Sequence, residues 1–289
     1  INYNAAVALK DSGDYKAAIT AFEKMNGYKD SADQIERCHA LIVSDKVASF
    51  ANAAVGDTIV YGSYEQDNNT ANGQEDIEWV VLEEKGNQIL VVSRYALDCK
   101  AYNGPYTGVA WETCSLRTWL NKTFLSNAFT AAEQAYIPAV TVAADKNPVY
   151  SISVGSDTQD QIFLLSITEV EKYFSSDSGR QCEATAYAEA QGAFVSSSNG
   201  NCWWWLRSPG YYRNGAAVIH TEVKLVGNLL LRTFFGAKPA ARAYILFNVT
   251  RAALNGNLKI THKAAYLGYL GVGENANFIV LCHIHHFRG

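Results

Sequence analysis

From residue 3 to residue 54 the apolar positions recur at helical spacing. Ala5, Ala8 and Leu9 form one stripe, Ala18, Ile19 and Phe22 a second, and Ala32, Ile35 and Ala40 to Val43 a third. Gly13-Asp14 and Asn26-Gly27 break the pattern, and Asp30 or Ser31 is placed to cap the third helix. At Val55 the period falls to two. Residues 58–64, 77–83 and 88–94 alternate apolar and polar side chains and are separated by the turn clusters Asp67-Asn68-Asn69 and Lys85-Gly86-Asn87, which predicts antiparallel strands. A helical stripe returns with Leu116, Trp119, Leu120 and Phe124, and Thr130 has Glu133 three residues on, the spacing of a capping box. Residues 162–166 read as a buried strand running into a short helix capped by Ser166 or Thr168, and the stretch 185–194 adds a further helical turn or two. Beyond Trp203 the pattern is strands and glycine-containing loops. The sum is α+β, with helices leading, strands next, helices in the middle and a β-rich end.

One stretch breaks the texture. In CWWWLRSPGYYRNGAAV, residues 202–218, three tryptophans stand together, and alternation on a strand puts Trp203 and Trp205 on one face, Trp204 and Leu206 on the other. Both faces are then covered, as in a central strand. Arg207 follows, placed to clamp a carboxylate or loop carbonyls. A Ser-Pro-Gly turn is expected to end the strand, with Gly210 as the border between residues the fold dictates and residues it exposes.

Composition narrows the function classes. A chain of 289 residues with 48% hydrophobic and 18% charged residues can bury a real core. Its net charge of −4 supplies no basic field for nucleic acid or anionic lipid. No window approaches the ~18 apolar residues of a membrane span. The chain opens INYNAAVALK, without Met, so any anchor or export signal is expected upstream of Ile1, and the sequence sets no compartment. Six cysteines (Cys38, Cys99, Cys114, Cys182, Cys202 and Cys282) include no CxxC pair, which argues against a zinc ribbon and points to buried thiols, with one or two disulfides if the protein is exported.

Several segments together carry a family resemblance: GDTIVYGSYEQDNNTANGQEDIEWVVLE, VVSRYALDCKAYN, WETCSLRTWLNKTFLSNAFTAAEQAYI, QIFLLSITEVEKYF and NGNCWWWLRSPG. In this order they resemble the DUF6273 domain of gut and other anaerobic bacteria, over Val55 to Ala240. The resemblance implies a C-type-lectin-like fold, with a twisted antiparallel sheet, two main helices and long loops, on the scaffold of formylglycine-generating and sulfatase-modifying enzymes. Some members are similar to the variable proteins of diversity-generating retroelements. In such a fold Trp79, Trp111, Trp119 and Trp203 to Trp205 would fix the loops. The leading helices resemble a single tetratricopeptide-type unit, a pairing common in surface proteins. The expected division is a helical stalk at 1–54, the lectin-like domain at 55–248 and an extension at 249–289. The family's usual Arg is replaced by Lys238 in GAKPA, and the last forty residues match nothing in the family.

The resemblance implies a non-enzymatic module that binds a protein or glycan through a variable C-terminal surface, outside the cell or on its surface, with the stalk free to contact another protein. The residues expected to meet the ligand are Tyr211, Tyr212, Arg213, Asn214, His220, Thr221 and Lys224, large or adaptable hydrogen-bonding side chains. Leu229 to Leu231, Phe234 and Phe235 read as core rather than a binding patch. The alternatives are an enzyme of the formylglycine-generating class or a structural assembly protein. The enzyme needs a reactive cysteine pair, for which Cys182 and Cys202 are the candidates, though not at the required spacing; they read as buried or disulfide-bonded instead. Hydrolase and phosphate-loop signatures are absent. Glu83-Glu84 and Asp157 with Asp160 read as solvated carboxylates. No metal or cofactor is expected: His283 and His285 share a face but lack a third ligand, and Asp67, Asn68, Asn69 and Asp76 offer oxygens without the spacing of a calcium loop.

Overall fold

A computed structural model of the chain describes residues 2–104, 107–212, 215–220, 225–226 and 240–249. Helices α1 (Tyr3–Asp11), α2 (Tyr15–Glu23) and α3 (Ser31–Ser49) lead, α1 and α2 capped by the side chains of Asn2 and Asp14. Asp30 stands at the cap position of α3, yet its carboxylate accepts from the Tyr3 hydroxyl and the Gln34 amide instead of the helix's own N–H groups. Ala6, Ala18, Ala21, Phe22 and Cys38 form a small core between these helices, the alanines letting the backbones approach. α3 outlasts that core. Val43 and Val47, then Phe50 in a following 3₁₀ turn, join the large core of the sheets, so the helical segment is tied to the domain through one helix.

The chain then makes β1 (Thr58–Tyr64), β2 (Glu75–Lys85), β3 (Gln88–Ser93) and β4 (Asp98–Cys99). The middle of the chain is α4 (Ser115–Trp119), a π turn at Leu120–Phe124, α5 (Leu125–Ala128) and α6 (Ala131–Gln134), the last opened by the Thr130/Glu133 capping box. Strands β5 (Val140–Val142), β6 (Thr158–Asp160) and β7 (Ile162–Phe163) precede α7 (Ile167–Tyr173) and α8 (Ala186–Ala190). The end is β8 (Trp204–Pro209), β9 (Ala216–Ile219), β10 (Leu225–Val226), β11 (Ala240–Ala241) and β12 (Tyr244–Asn248).

Two five-stranded sheets result, in the orders β1-β2-β3-β12-β7 and β10-β9-β8-β11-β4, beside a β5-β6 pair. The first is the predicted meander closed from the far end of the chain: β12 pairs with β3 from Tyr244↔Val92 to Asn248↔Gln88. Gly62 in β1 shows why the meander bends. It sits in a bulge at φ 69°, and an added Cβ would lie 2.5 Å from the Phe129 ring, so both conformation and space demand glycine.

The second sheet holds the tryptophan strand. β8 lies at its centre, as its doubly apolar pattern predicts, but its contact with β11 is parallel, Ala240 against Trp204. Two expectations need correction. The strand does not end at a Ser-Pro-Gly turn: it runs through Ser208 to Pro209, which faces Ala216, and the reversal falls beyond Gly210, whose N–H donates to the Gly215 carbonyl at 2.9 Å. Nor does β7 extend to Ser166. Leu164 and Leu165 leave the ladder because the Leu165 carbonyl accepts from the Arg207 N–H, 2.9 Å, where β8 bulges between Trp205 and Pro209.

Candidate functional site

The bulge turns Arg207 inward, and there it is a clamp. Its guanidinium, 2% exposed, makes a two-pronged contact with the Glu169 carboxylate, Nη2 to Oε1 at 2.8 Å and Nη1 to Oε2. Nη1 also donates to the Leu164 carbonyl at 2.8 Å and Nε to that of Ala143 at 3.2 Å, while Asp145 lies 3.5 Å away. Glu169 is at the same time the capping-box residue of α7, accepting from the Ser166 N–H. One carboxylate thus ties β8 to the start of α7, and fork geometry favours Arg for the task. The clamp serves carboxylate and loop carbonyls together. Two of the tryptophans fix segments outside the sheets by their indole N–H, Trp204 to the Arg180 carbonyl and Trp205 to that of Lys100, whereas Trp79 and Trp111 donate to strand residues, the Tyr61 carbonyl and the buried Asp160, and the buried Trp203 indole N–H has no partner.

Beyond the clamp the hairpin reaches the surface. Tyr211 and Tyr212 are 42% and 43% exposed, their rings edge to face at 4.6 Å. The Tyr150 ring meets Tyr211 edge to face at 4.9 Å, and Val149 beside it is 72% exposed. The buried Asn147 sets this arrangement. Its amide donates to the Pro209 carbonyl at 2.8 Å, and its oxygen accepts from the N–H groups of Val149 and Tyr150 at 2.9 and 3.2 Å. A single side chain therefore joins the 147–150 turn to the hairpin and presents Tyr150 to Tyr211. The sequence reading missed Tyr150, Val149 and Asn147, for which the Asn147-Pro148 turn signal was the available clue.

The other expected contact residues divide. His220 stands at the far end of β9, about 16 Å of extended chain from Gly215. It is half-buried and stacks on Trp203 with ring centroids 4.8 Å apart, and Phe194 covers Trp203 at 5.0 Å. It belongs to the support of the strand and not to the tyrosine patch. Arg213, Asn214, Thr221 and Lys224 lie outside the described residues, as do Leu229 to Leu231, Phe234, Phe235, His283 and His285.

A second cluster is buried. Cys182 and Cys202 face each other across an antiparallel bridge at Glu183↔Asn201, with the Cys202 N–H donating to the Cys182 carbonyl at 2.8 Å. Both are free thiols, 3% and 1% exposed, hydrogen-bonded to one another. Twenty residues apart, they show no signature in sequence, because the pairing is made by a bridge and not by a motif. Burial alone pushes the Cys182 thiol up; the Cys202 thiol and the nearby Arg242 guanidinium more than reverse this and bring it to about 7. Cys202 is held up by the same hydrogen bond and by burial. Arg242 is 4% exposed. Its Nε donates to the Ser93 carbonyl at 2.8 Å, and it lies 5.2 Å from the Trp204 ring and 5.8 Å from that of Phe174. Among the described residues no carboxylate pairs with it, and its Nη1, the Tyr244 hydroxyl and the Ser93 hydroxyl are buried without partners.

The carboxylates read as solvated include one that is not. Asp160 is buried and accepts from Arg117 at 2.7 Å, Trp111 at 3.0 Å and Thr158 at 2.6 Å, a structural role. Asp157 caps Ala144, and Glu83 pairs with Lys172 and the Tyr173 hydroxyl. In the 65–76 loop the oxygens brought within 4.8 Å of one another belong to Glu65, Asp67 and Glu75, not to Asn68, Asn69 and Asp76. They already accept from the loop's own amides, Glu75 from Gln66 at 2.7 Å, Glu65 and Asp67 from Asn69 at 2.8 and 2.7 Å. Among the described residues no helix is long and apolar enough to cross a membrane.

Comparison with curated proteins and with solved structures gives no match. A family model does match, from Gly86 in the β2–β3 turn to Ala241 at the end of β11. It leaves out α1 to α3, β1, β2 and β12, and starts later than the resemblance at Val55 implies. It still covers more than half of the chain and both clusters except Arg242 and Tyr244, so the chain belongs to the family described as Domain of unknown function (DUF6273).

Proposed function

We propose that the protein is a non-enzymatic binding module that engages a protein ligand through the tyrosine patch at the tip of the β8–β9 hairpin. The observation that carries this reading is a row of three contacting rings just beyond a fully buried strand, the exposed Tyr211 and Tyr212 with the half-buried Tyr150 packed on Tyr211. Tyrosines supply large contact area with a polar tip at small entropic cost, and a fixed row loses less freedom on binding than separate loops would. The exposed Val149 adds an apolar edge that a protein side chain covers and a glycan hydroxyl does not. A C-type-lectin-like scaffold, with display of variable residues as in retroelement-diversified proteins, is the architecture this reading adopts; two sheets joined by long loops pinned by indoles support it.

The test sets the wild type and the Tyr150→Ala/Tyr211→Ala/Tyr212→Ala variant against a panel of displayed surface proteins and a glycan array. Protein binding that the triple substitution abolishes supports the proposal. Binding that survives it moves the site elsewhere, and binding to glycans alone refutes the ligand class. The alternative, an enzyme of the formylglycine-generating class, draws its support from the adjacency of Cys182 and Cys202.

A further inference from the structure

We propose that Cys182 and Cys202 form a redox-active dithiol, oxidised to an intrachain disulfide by exchange with a small external disulfide, with Arg242 as the buried cation that favours attack by the Cys182 sulfur. Three observations lead there independently of the binding patch.

The first is register. Residues directly opposed on antiparallel chains put their side chains on the same face, with Cα atoms about 5.5 Å apart where they are hydrogen-bonded, which is inside the range a disulfide spans. Cys182 and Cys202 are so opposed. Cys38 and Cys114 are also buried thiols, but the groups acting on them are Lys10 for Cys38 and Tyr102 and Arg117 for Cys114, and no bridge sets either opposite a second cysteine. The second is the charge of Arg242. A buried guanidinium with no carboxylate partner is costly unless an anion meets it. The anion its surroundings can supply is a thiolate, and an N–H of Arg242 and the hydroxyl of Tyr244 stand without partners in the same interior, both interacting electrostatically with Cys182. The third is the way in. Residues 183–201 join no continuous strand ladder: isolated bridges Ala96↔Ala184, Glu183↔Asn201 and Val195↔Cys202, the Thr185 and Tyr187 N–H groups on the Ala96 and Gln66 carbonyls, and the rings of Tyr187 and Phe194 on Tyr64 and Trp203 hold them around the short helix α8. Local opening of a segment without a continuous ladder is the route by which a small reagent would reach thiols that are closed in the ground state.

The chemistry balances. The Cys182 thiolate attacks one sulfur of glutathione disulfide; the S–S bond breaks and one glutathione leaves as thiolate, taking a proton from solvent. The Cys202 thiol, its proton given to water, attacks the Cys182 sulfur of the mixed disulfide and displaces the second glutathione. Two protein thiols lose two electrons and two protons in all, and one external disulfide becomes two thiols.

The experiment equilibrates the full chain, reduced beforehand, with mixtures of reduced and oxidised glutathione, quenches it by acid and maps the peptides by mass spectrometry. The expected product is a species two hydrogens lighter in which the peptides of Cys182 and Cys202 are joined. In the Cys202→Ala variant the reaction should stop at a glutathione adduct on Cys182. Arg242→Met should slow adduct formation near neutral pH about tenfold, and Arg242→Lys should restore most of the rate, a recovery that lost packing would not give. Circular dichroism of each variant controls for folding, and the wild-type map stands alone if a variant fails to fold. The proposal is overturned if the wild type stays fully reduced across the mixtures, if the bond joins other cysteines, or if Arg242→Met reacts as fast as wild type.

Discussion

Arg207 and Arg242 are both buried, both lie against the tryptophan strand, and both donate to backbone carbonyls, yet they live in opposite electrostatic surroundings. Arg207 has the Glu169 carboxylate in a two-pronged contact, Asp145 beside it and carbonyls on its remaining N–H groups. Arg242 has one carbonyl, two aromatic faces and a pair of thiols. The first arrangement is complete, so it holds the fold and nothing more. The second leaves one N–H and one charge unanswered, and such incompleteness in an interior is where chemistry finds room.

The same substitution breaks the two sites unequally. Arg207→Met strands the Glu169 carboxylate beside a closed interior and frees the 143–145 and 164–165 segments, and it should cost about 3–5 kcal/mol in urea denaturation, the range for removing one partner of a buried pair. A loss below about 1 kcal/mol would mean that Glu169, itself 27% exposed, is rehydrated without strain and that the clamp is not structural. Next in size is Asn147→Ala, which unpairs the Pro209 carbonyl and two turn N–H groups; about 1–3 kcal/mol is expected, with loss of the Tyr150–Tyr211 ring contact visible as altered tyrosine ring shifts in NMR. Ligand binding should fall in this variant although no contact residue has changed.

Arg242→Met should behave otherwise. With no carboxylate left behind and an apolar chain of similar size in its place, it should cost no more than about 1 kcal/mol below pH 7. The difference from wild type should then widen as pH rises. The folded-state value of Cys182, about 7, lies below the ordinary 9.0, so its thiolate contributes stability that is absent below pH 7, develops between 7 and 9, and is lost again as pH falls through 7. Cys202 and Tyr244 share this interior, the exposed Glu183 acts on Cys182 electrostatically, and Cys202, held above its ordinary value, works in the opposite sense only beyond pH 9. A gap that stays level from pH 6 to 9 would show that Arg242 does not hold a thiolate.

The two arginines also mark how far sequence carries. Arg207 was legible because its role follows from local facts: a strand with both faces apolar must lie inside a sheet, and a charge at its end must find a counter-charge. The three N-terminal helices, the meander and the Thr130 capping box were legible for the same reason, since period and capping are set within a few residues, while at α7 the cap at Ser166 was one of two candidates and its partner Glu169 went unread. Arg242 was not legible, and the two cysteines, singled out only through the family resemblance, carried no sign of their bridge, because their surroundings are assembled from residues 93, 182, 202, 242 and 244, joined by bridges that leave no periodic trace. The bulge at Arg207 escaped as well: the pull of the Leu165 carbonyl, which carries the strand past Pro209, comes from a segment forty residues upstream. Tyr211 and Tyr212 were named correctly as exposed, while the stacking of the half-buried His220 on Trp203 was not foreseen, because it is a tertiary fact.

A third arginine sets the lower end of the scale. Arg94 pairs with Glu78 at 2.7 Å, no longer than the 2.8 Å Nη2–Oε1 contact of Arg207, but its side chain is 51% exposed and that of Glu78 39%. Water screens the pair, and both groups are solvated equally well apart, so distance alone gives it no weight. Arg94→Met should leave the urea midpoint within experimental scatter at low and at high salt, whereas Arg207→Met shifts it at both. A drop for Arg94→Met that matches the one for Arg207→Met, or that matches the one for Arg242→Met at pH 9, would mean that cation count, and not burial with or without a partner, ranks the arginines of this protein, and the contrast between the clamp and the thiol site would lose its physical basis.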